Sequence, residues 1–118
     1  AMARDLCAFV VPGPDVARSR GLDVAAAGLH LAATPRHANL LLVVGPLPPG
    51  LQDAASVAYA QMPRPRAILA LEAGNTTPLP PPDATAALSQ AGLAEGIAAI
   101  GRAFAHPIYL PDASRSGL

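Results

Sequence analysis

The chain is predicted to be an α/β domain of three layers, built on a mainly parallel sheet of four or five strands. Two apolar runs, residues 39–44 (NLLLVV) and 67–71 (AILAL), and the helical pattern between them carry that prediction. Both runs are continuous rather than alternating, which marks strands covered on both faces, as in a parallel sheet flanked by helices. Between them, LQDAASVAYAQM places Leu51, Ala54, Ala55, Ala58 and Met62 at helical spacing. Strand, helix and strand in this order are the right-handed crossover unit of an α/β sheet.

The remaining elements follow from punctuation. Residues 6–11, LCAFVV, form a first strand stopped by Pro12, Gly13 and Pro14. Residues 15–28 mix charges with small side chains and read as a short helix or an irregular crossover. Residues 29–33 make a weak strand ending at Thr34 and Pro35, because proline pushes its predecessor out of the helical region. The strong strand 39–44 leads through PLPPG into the helix 51–62, which Pro63 and Pro65 end. Residues 74–83, GNTTPLPPPD, hold four prolines and exclude regular structure. Asp83 is placed to cap a helix from Ala84, and Leu93, Ile97, Ile100 and Phe104 continue an apolar stripe after Gly92. A last short strand is expected over 106–110, HPIYL, followed by a polar, loose tail.

Length and composition narrow the function classes. At 118 residues the chain fits one domain, 1–118, able to bury a core without staples. Eight basic residues balance eight acidic ones, and the arginines are scattered, so there is no electrostatic footprint for nucleic acid or an anionic membrane. The longest unbroken apolar run, residues 40–44, is far short of the ~20 residues of a membrane span. A single cysteine provides no disulfide framework, and the start of the chain lacks a secretory pattern, so a cytoplasmic, reducing location is expected.

Residue by residue, no catalytic constellation emerges. A Gly-x-Ser-x-Gly turn is missing. Residues 45–50 imitate a phosphate loop by position, but Pro46, Pro48 and Pro49 lack the N–H groups of such a cradle and the Lys-Ser/Thr pair is missing; a turn that feeds the helix is the better reading, with a flavin or other anion at that helix start the alternative. Cys7 reads as a small buried hydrophobe rather than a reactive thiol. Glu72, directly after an apolar strand, is the acidic residue best placed for a site, since strand ends line the crevice of an open sheet.

Several motifs now combine. Thr34-Pro35-Arg36, the pair Ala38-Asn39 opening an apolar strand, the strand-ending Gly45, and Gln61-Met62-Pro63-Arg64-Pro65 before the next strand occur in this order. Over residues 29–74, and more loosely to 113, they resemble the 20 kDa, cluster-bearing subunit of respiratory complex I (NADH-quinone oxidoreductase) and the related small subunits of nickel-iron hydrogenases. The resemblance implies a flavodoxin-like fold and an iron-sulfur cluster on loop cysteines. This sequence departs from it at the ligands. A ligand cysteine would fall near Gly74, a second at Ala113 within YLPDAS, and the pair expected after the first strand is replaced by VPGPDVARSRG.

A cluster of this type needs four thiolates or an occasional histidine substitute, and Cys7 is the single cysteine. The expectation is therefore no cofactor and a cluster-less relative acting as an assembly or subunit-interaction module. Its partner would be a hydrogenase-like or complex I-like large subunit, or a second copy. Arg36, His37 and Leu79 are the candidate contacts, with a solvated turn as the plain alternative for Arg36. The rival expectation is a small-molecule-binding or enzymatic domain that reuses the emptied cavity near Gly74 and Ala113.

Overall fold

A computed structural model describes residues 6–105. Along the chain run β1 (Cys7–Val11), α1 (Pro14–Ser19), β2 (His30–Leu31), a single 3₁₀ turn (Pro35–His37), β3 (Leu40–Val44), α2 (Pro49–Gln61), β4 (Ala67–Leu71), β5 (Ala84–Ala86) and α3 (Gln90–Ala105). The five strands form one sheet in the order β2-β1-β3-β4-β5, every pair parallel. That order, with helices on both faces, is a three-layer flavodoxin-like α/β arrangement. The two continuous apolar runs are its adjacent central strands, and each of their residues is buried.

Two apolar clusters, one on each face, follow from the period-2 alternation of strand side chains. Leu40, Leu42, Val44, Leu69 and Leu71 share one face with Ala17 of α1 and Leu93, Ile100 and Phe104 of α3. Leu41, Val43, Ile68 and Ala70 share the other with Ala55 and Tyr59 of α2 and with Ala38 beside the 3₁₀ turn. A strand buried on both sides needs a helix on both sides, which is why the unbroken apolar pattern reports the layering.

Polar side chains fix the edges of these elements. The Asn39 amide oxygen accepts from Cys7 N at 2.8 Å while Asn39 N donates to Cys7 O at 2.9 Å, locking β3 beside β1 at their amino ends. Arg66 closes the carboxyl end of α2: its Nη1 donates to Tyr59 O at 2.6 Å and Met62 O at 3.2 Å, and its guanidinium lies 4.2 Å from the Tyr59 ring centroid. Such a placement satisfies orphan helix carbonyls with a favourable charge. At the other side, Gln90 and Asp23 form a reciprocal pair, the side-chain amide accepting from Asp23 N at 2.8 Å and donating to Asp23 O at 2.9 Å, which ties α3 to the β1–β2 crossover.

The region after β4 departs from expectation. Residues 84–86 are a strand, not the start of a helix, and Asp83 does not cap one. Asp83 N donates to Ile68 O at 2.9 Å and its carboxylate accepts from Ile68 N at 2.7 Å, so it docks the incoming strand on β4. The helix begins at Gln90, where the Ser89 hydroxyl accepts from Gly92 N at 3.0 Å. The helix expected over 51–62 starts two residues earlier, with Pro49 in its first turn, where a missing N–H costs nothing. Cys7 is half-buried rather than buried. The strand expected over 106–110, the tail and Ala113 lie outside the described residues.

Candidate functional site

In an open α/β sheet ligands and partners are met beyond the carboxyl ends of the strands, ordinarily where the strand order reverses, which here is between β1 and β3; a depression beneath the 72–83 loop lies instead at β4 and β5. Three of the loops that leave from the carboxyl ends are residues 12–13 after β1, 45–48 after β3 and 72–83 after β4. Gly45 and Gly74 both hold a left-handed backbone, φ 74° and 67°, which lets the chain turn sharply off the sheet. Gly45 is buried, and the Arg20 guanidinium lies across it together with Leu88.

The 72–83 loop is the unusual part. Parallel strands are ordinarily joined by a helix, but β4 and β5 are joined by this proline-rich segment alone. Its fold is held by specific bonds: Gln52 Nε2 donates to Leu47 O at 3.2 Å and to Asn75 O at 3.3 Å, Thr77 N donates to Asn75 Oδ1 at 3.0 Å, and Leu79 N donates to Thr76 O at 2.9 Å. The start of α2 and this loop are thereby one body. Pro46, Pro48, Pro49, Pro78 and Pro81 stand exposed on it.

Beneath the loop, at the carboxyl ends of β4 and β5, lies a depression of about 400 Å³, lined by Ala70, Glu72, Ala73, Gly74, Pro82, Thr85 and Ala86. Glu72 has φ 54°, the one positive-φ residue other than glycine among the described residues. Its Oε2 accepts from Leu88 N at 2.8 Å, which fixes the carboxylate beside the depression. Strain of this kind costs of order 1 kcal/mol or more and persists where the surroundings hold it in place. A second depression, of about 440 Å³, lies against α1 between Pro14, Leu22, Val24 and Leu31. Among the described residues that line it, the one arginine, Arg18, is paired with Asp15.

The residues singled out from the sequence fall in three places. Gly74 and Glu72 come together in the depression at the carboxyl end. Arg36 and His37 sit exposed on the 3₁₀ turn before β3, at the opposite, amino end of the sheet. That turn is closed locally, with His37 N donating to Thr34 O at 3.2 Å and Thr34 Oγ1 2.9 Å from His37 Nδ1. Leu79, expected to project as a docking group, is instead 4 % exposed and belongs to the core cluster with Leu47, Ala73 and Tyr59. A leucine set among prolines was the best apolar anchor available to hold a helix-free crossover onto the sheet, so it turned inward. Arg66 is engaged in capping α2. Arg20 was missed, since nothing in the sequence places it over Gly45.

The described residues at this end do not fit an iron-sulfur cluster. Gly74 has no side chain to offer, and Cys7 opens β1 at the amino end, roughly 13 Å of strand away from the carboxyl loops at ~3.3 Å per residue. Among the described residues no group of three or more histidine, cysteine, aspartate or glutamate side chains is arranged to hold a metal ion. No helix among them is long and apolar enough to cross a membrane. A comparison of the sequence with models of known protein families finds no match, and a comparison with curated proteins finds none either.

Proposed function

We propose that the chain is a cluster-less relative of the complex I 20 kDa subunit and the nickel-iron hydrogenase small subunit, acting as a cytoplasmic interaction module. Its carboxyl-end loops contact a hydrogenase-like or complex I-like large subunit, or a second copy. The observation that supports this is the fused edge made by residues 46–49 and 74–82. Exposed prolines stand there on a backbone already tied down by Gln52 and Asn75, so little conformational freedom is lost when a partner covers it.

The test pairs Pro48→Asp with Pro81→Asp, both exposed positions on that edge, against Arg36→Asp at the opposite end. Light scattering and pull-down with a large subunit should show association lost in the first variant and kept in the second, with thermal midpoints close to the parent. An unaffected double variant, or a parent that is monomeric and binds no large subunit, refutes the proposal.

A second reading is favoured by one observation, the depression beside the strained Glu72. In that reading the domain holds a small molecule where the resemblance would put the cluster, at Gly74. Its volume of about 400 Å³ falls at the lower end of small-ligand sites, ~300–1,000 Å³.

A further inference from the structure

We propose that the depression between β4, β5 and the proline-rich crossover binds a compact organic cation, an ammonium or guanidinium group on a short apolar stem, with Glu72 as its counter-ion. This deepens the second reading above by naming the chemistry of the ligand. Three features of the lining carry it.

The walls are small and mostly apolar. Ala70, Ala73 and Ala86 with Gly74 and Pro82 offer van der Waals surface without a bulky side chain to fill the space, and Thr85 adds one hydroxyl. Such a lining accepts a few methylene groups and rejects a large polyhydroxylated ligand, whose hydrogen bonds it could not satisfy.

Among the described residues of the lining Glu72 is the only ionisable group, and no ion pair joins it to any described residue. Arg20, which lies over Gly45 on the neighbouring strand end, makes no ion pair with it either. An anionic ligand would therefore meet like charge, and a neutral one would leave the carboxylate partly desolvated without compensation.

The carboxylate is also tethered. Its Oε2 accepts from Leu88 N at 2.8 Å, so an exposed side chain that lines the depression has already lost part of its freedom before a ligand arrives. The left-handed φ of 54° starts the side chain from a direction that an ordinary strand continuation would not supply. A plain cap for Leu88 needs neither the cavity nor the strain, since an aspartate, asparagine or serine nearer the turn would satisfy the same N–H.

The ligand's cationic group has two natural sources, a free amine or a lysine or arginine side chain presented by a partner protein. The experiment separates them. The full chain, labelled with nitrogen-15, is titrated with butylammonium chloride, sodium butyrate and butanol at matched ionic strength, and with a short blocked peptide carrying one lysine. The amides of Gly74, Thr85 and Ala86 should shift and saturate with butylammonium at a Kd on the order of 1–10 mM, as fits so small a ligand. Butyrate and butanol should bind at least tenfold more weakly. Glu72→Gln keeps the acceptor for Leu88 N and should lose the selectivity for the cation, and Thr85→Phe, at an exposed strand position, should block all probes by filling the space. A peptide that binds tenfold tighter than butylammonium identifies a partner side chain as the source, and one that binds no better identifies a free amine.

If butanol and butyrate bind as well as butylammonium, or if folded Glu72→Gln retains the preference, the cation assignment is overturned while the small-molecule reading stands. If no probe moves these amides in the parent, both are overturned.

Discussion

Three glycines of α3 separate packing from helix propensity. In an exposed helix interior, Gly→Ala stabilises by about 1 kcal/mol because alanine restricts the unfolded chain and buries no polar group. Gly101 is half-buried, but a Cβ there touches nothing within 4 Å, so most of that gain remains. Gly92 is the reverse: its Cβ would stand 2.1 Å from the Ala87 carbonyl oxygen and 2.8 and 2.9 Å from the Ala87 carbonyl carbon and nitrogen. That backbone cannot yield cheaply, because Ala87 O accepts from Ser89 N at 2.9 Å and Ser89 in turn caps the helix through Gly92 N and Leu93 N. Overpacking costs about 1–3 kcal/mol and loss of a cap about 1 kcal/mol, against the gain of about 1 kcal/mol from propensity. Gly92→Ala should therefore destabilise by about 2 kcal/mol and Gly101→Ala stabilise by about 0.5–1 kcal/mol. Gly96 lies between them, its Cβ meeting Leu69 methyls at 2.4 and 2.8 Å, a side chain that is fully buried and has nowhere to turn. A net loss of about 1 kcal/mol is expected there. Urea unfolding followed by circular dichroism reads all three, and for a chain of 118 residues each kcal/mol moves the thermal midpoint by about 4 °C. A Gly92→Ala variant at or above the parent's stability would refute the account of the α3 start.

Further outcomes are expected at the strand and helix ends. At residue 72, where φ is 54°, both Ala and Gly remove the bond to Leu88 N, but Gly avoids the left-handed penalty, so Glu72→Gly should exceed Glu72→Ala in stability by about 1 kcal/mol in the same assay. Arg66→Ala should cost about 1–2 kcal/mol by freeing the last carbonyls of α2 and uncovering the Tyr59 ring, and Arg66→Lys should restore less than half of it, because an ammonium cannot span both carbonyls and stack. Protein purified after anaerobic reconstitution with iron and sulfide should be colourless at about 400 nm, where thiolate-bound clusters absorb; a stoichiometric chromophore would overturn the cluster-less assignment.

The centre of the fold was legible because burial on both faces leaves a direct trace: residues 40–44 and 67–71 contain no polar residue at any phase, and only a covered strand tolerates that. The strand β5 was not legible. Ala-Thr-Ala is short and poor in β-branched residues, and Asp83 before it looks like a helix cap; its actual partner, Ile68, is fifteen residues away and known only once β4 is in place. Leu79 shows the same limit from the other side, since a lone leucine among prolines has no period from which its direction can be read. At the candidate site, Glu72 and Gly74 could be picked out as the residues that follow a buried strand. The depression itself could not, because it is lined jointly by β4, the 72–83 crossover and β5, and the path of that crossover leaves no periodic signal.

The outer strands of the sheet are very short, two residues in β2 and three in β5, while the strands inside are each five. A chain that is 52 % hydrophobic and carries no net charge at neutral pH has little electrostatic protection against coming out of solution. What it has instead, among the described residues, is geometry: each flank of the sheet offers an intruding chain only a few backbone groups before the ladder runs out, too short a template to seed pairing between molecules. Lengthening β5 by replacing the prolines that precede it would thus be expected to lower solubility before it altered stability, a colloidal cost that no inspection of the core would anticipate.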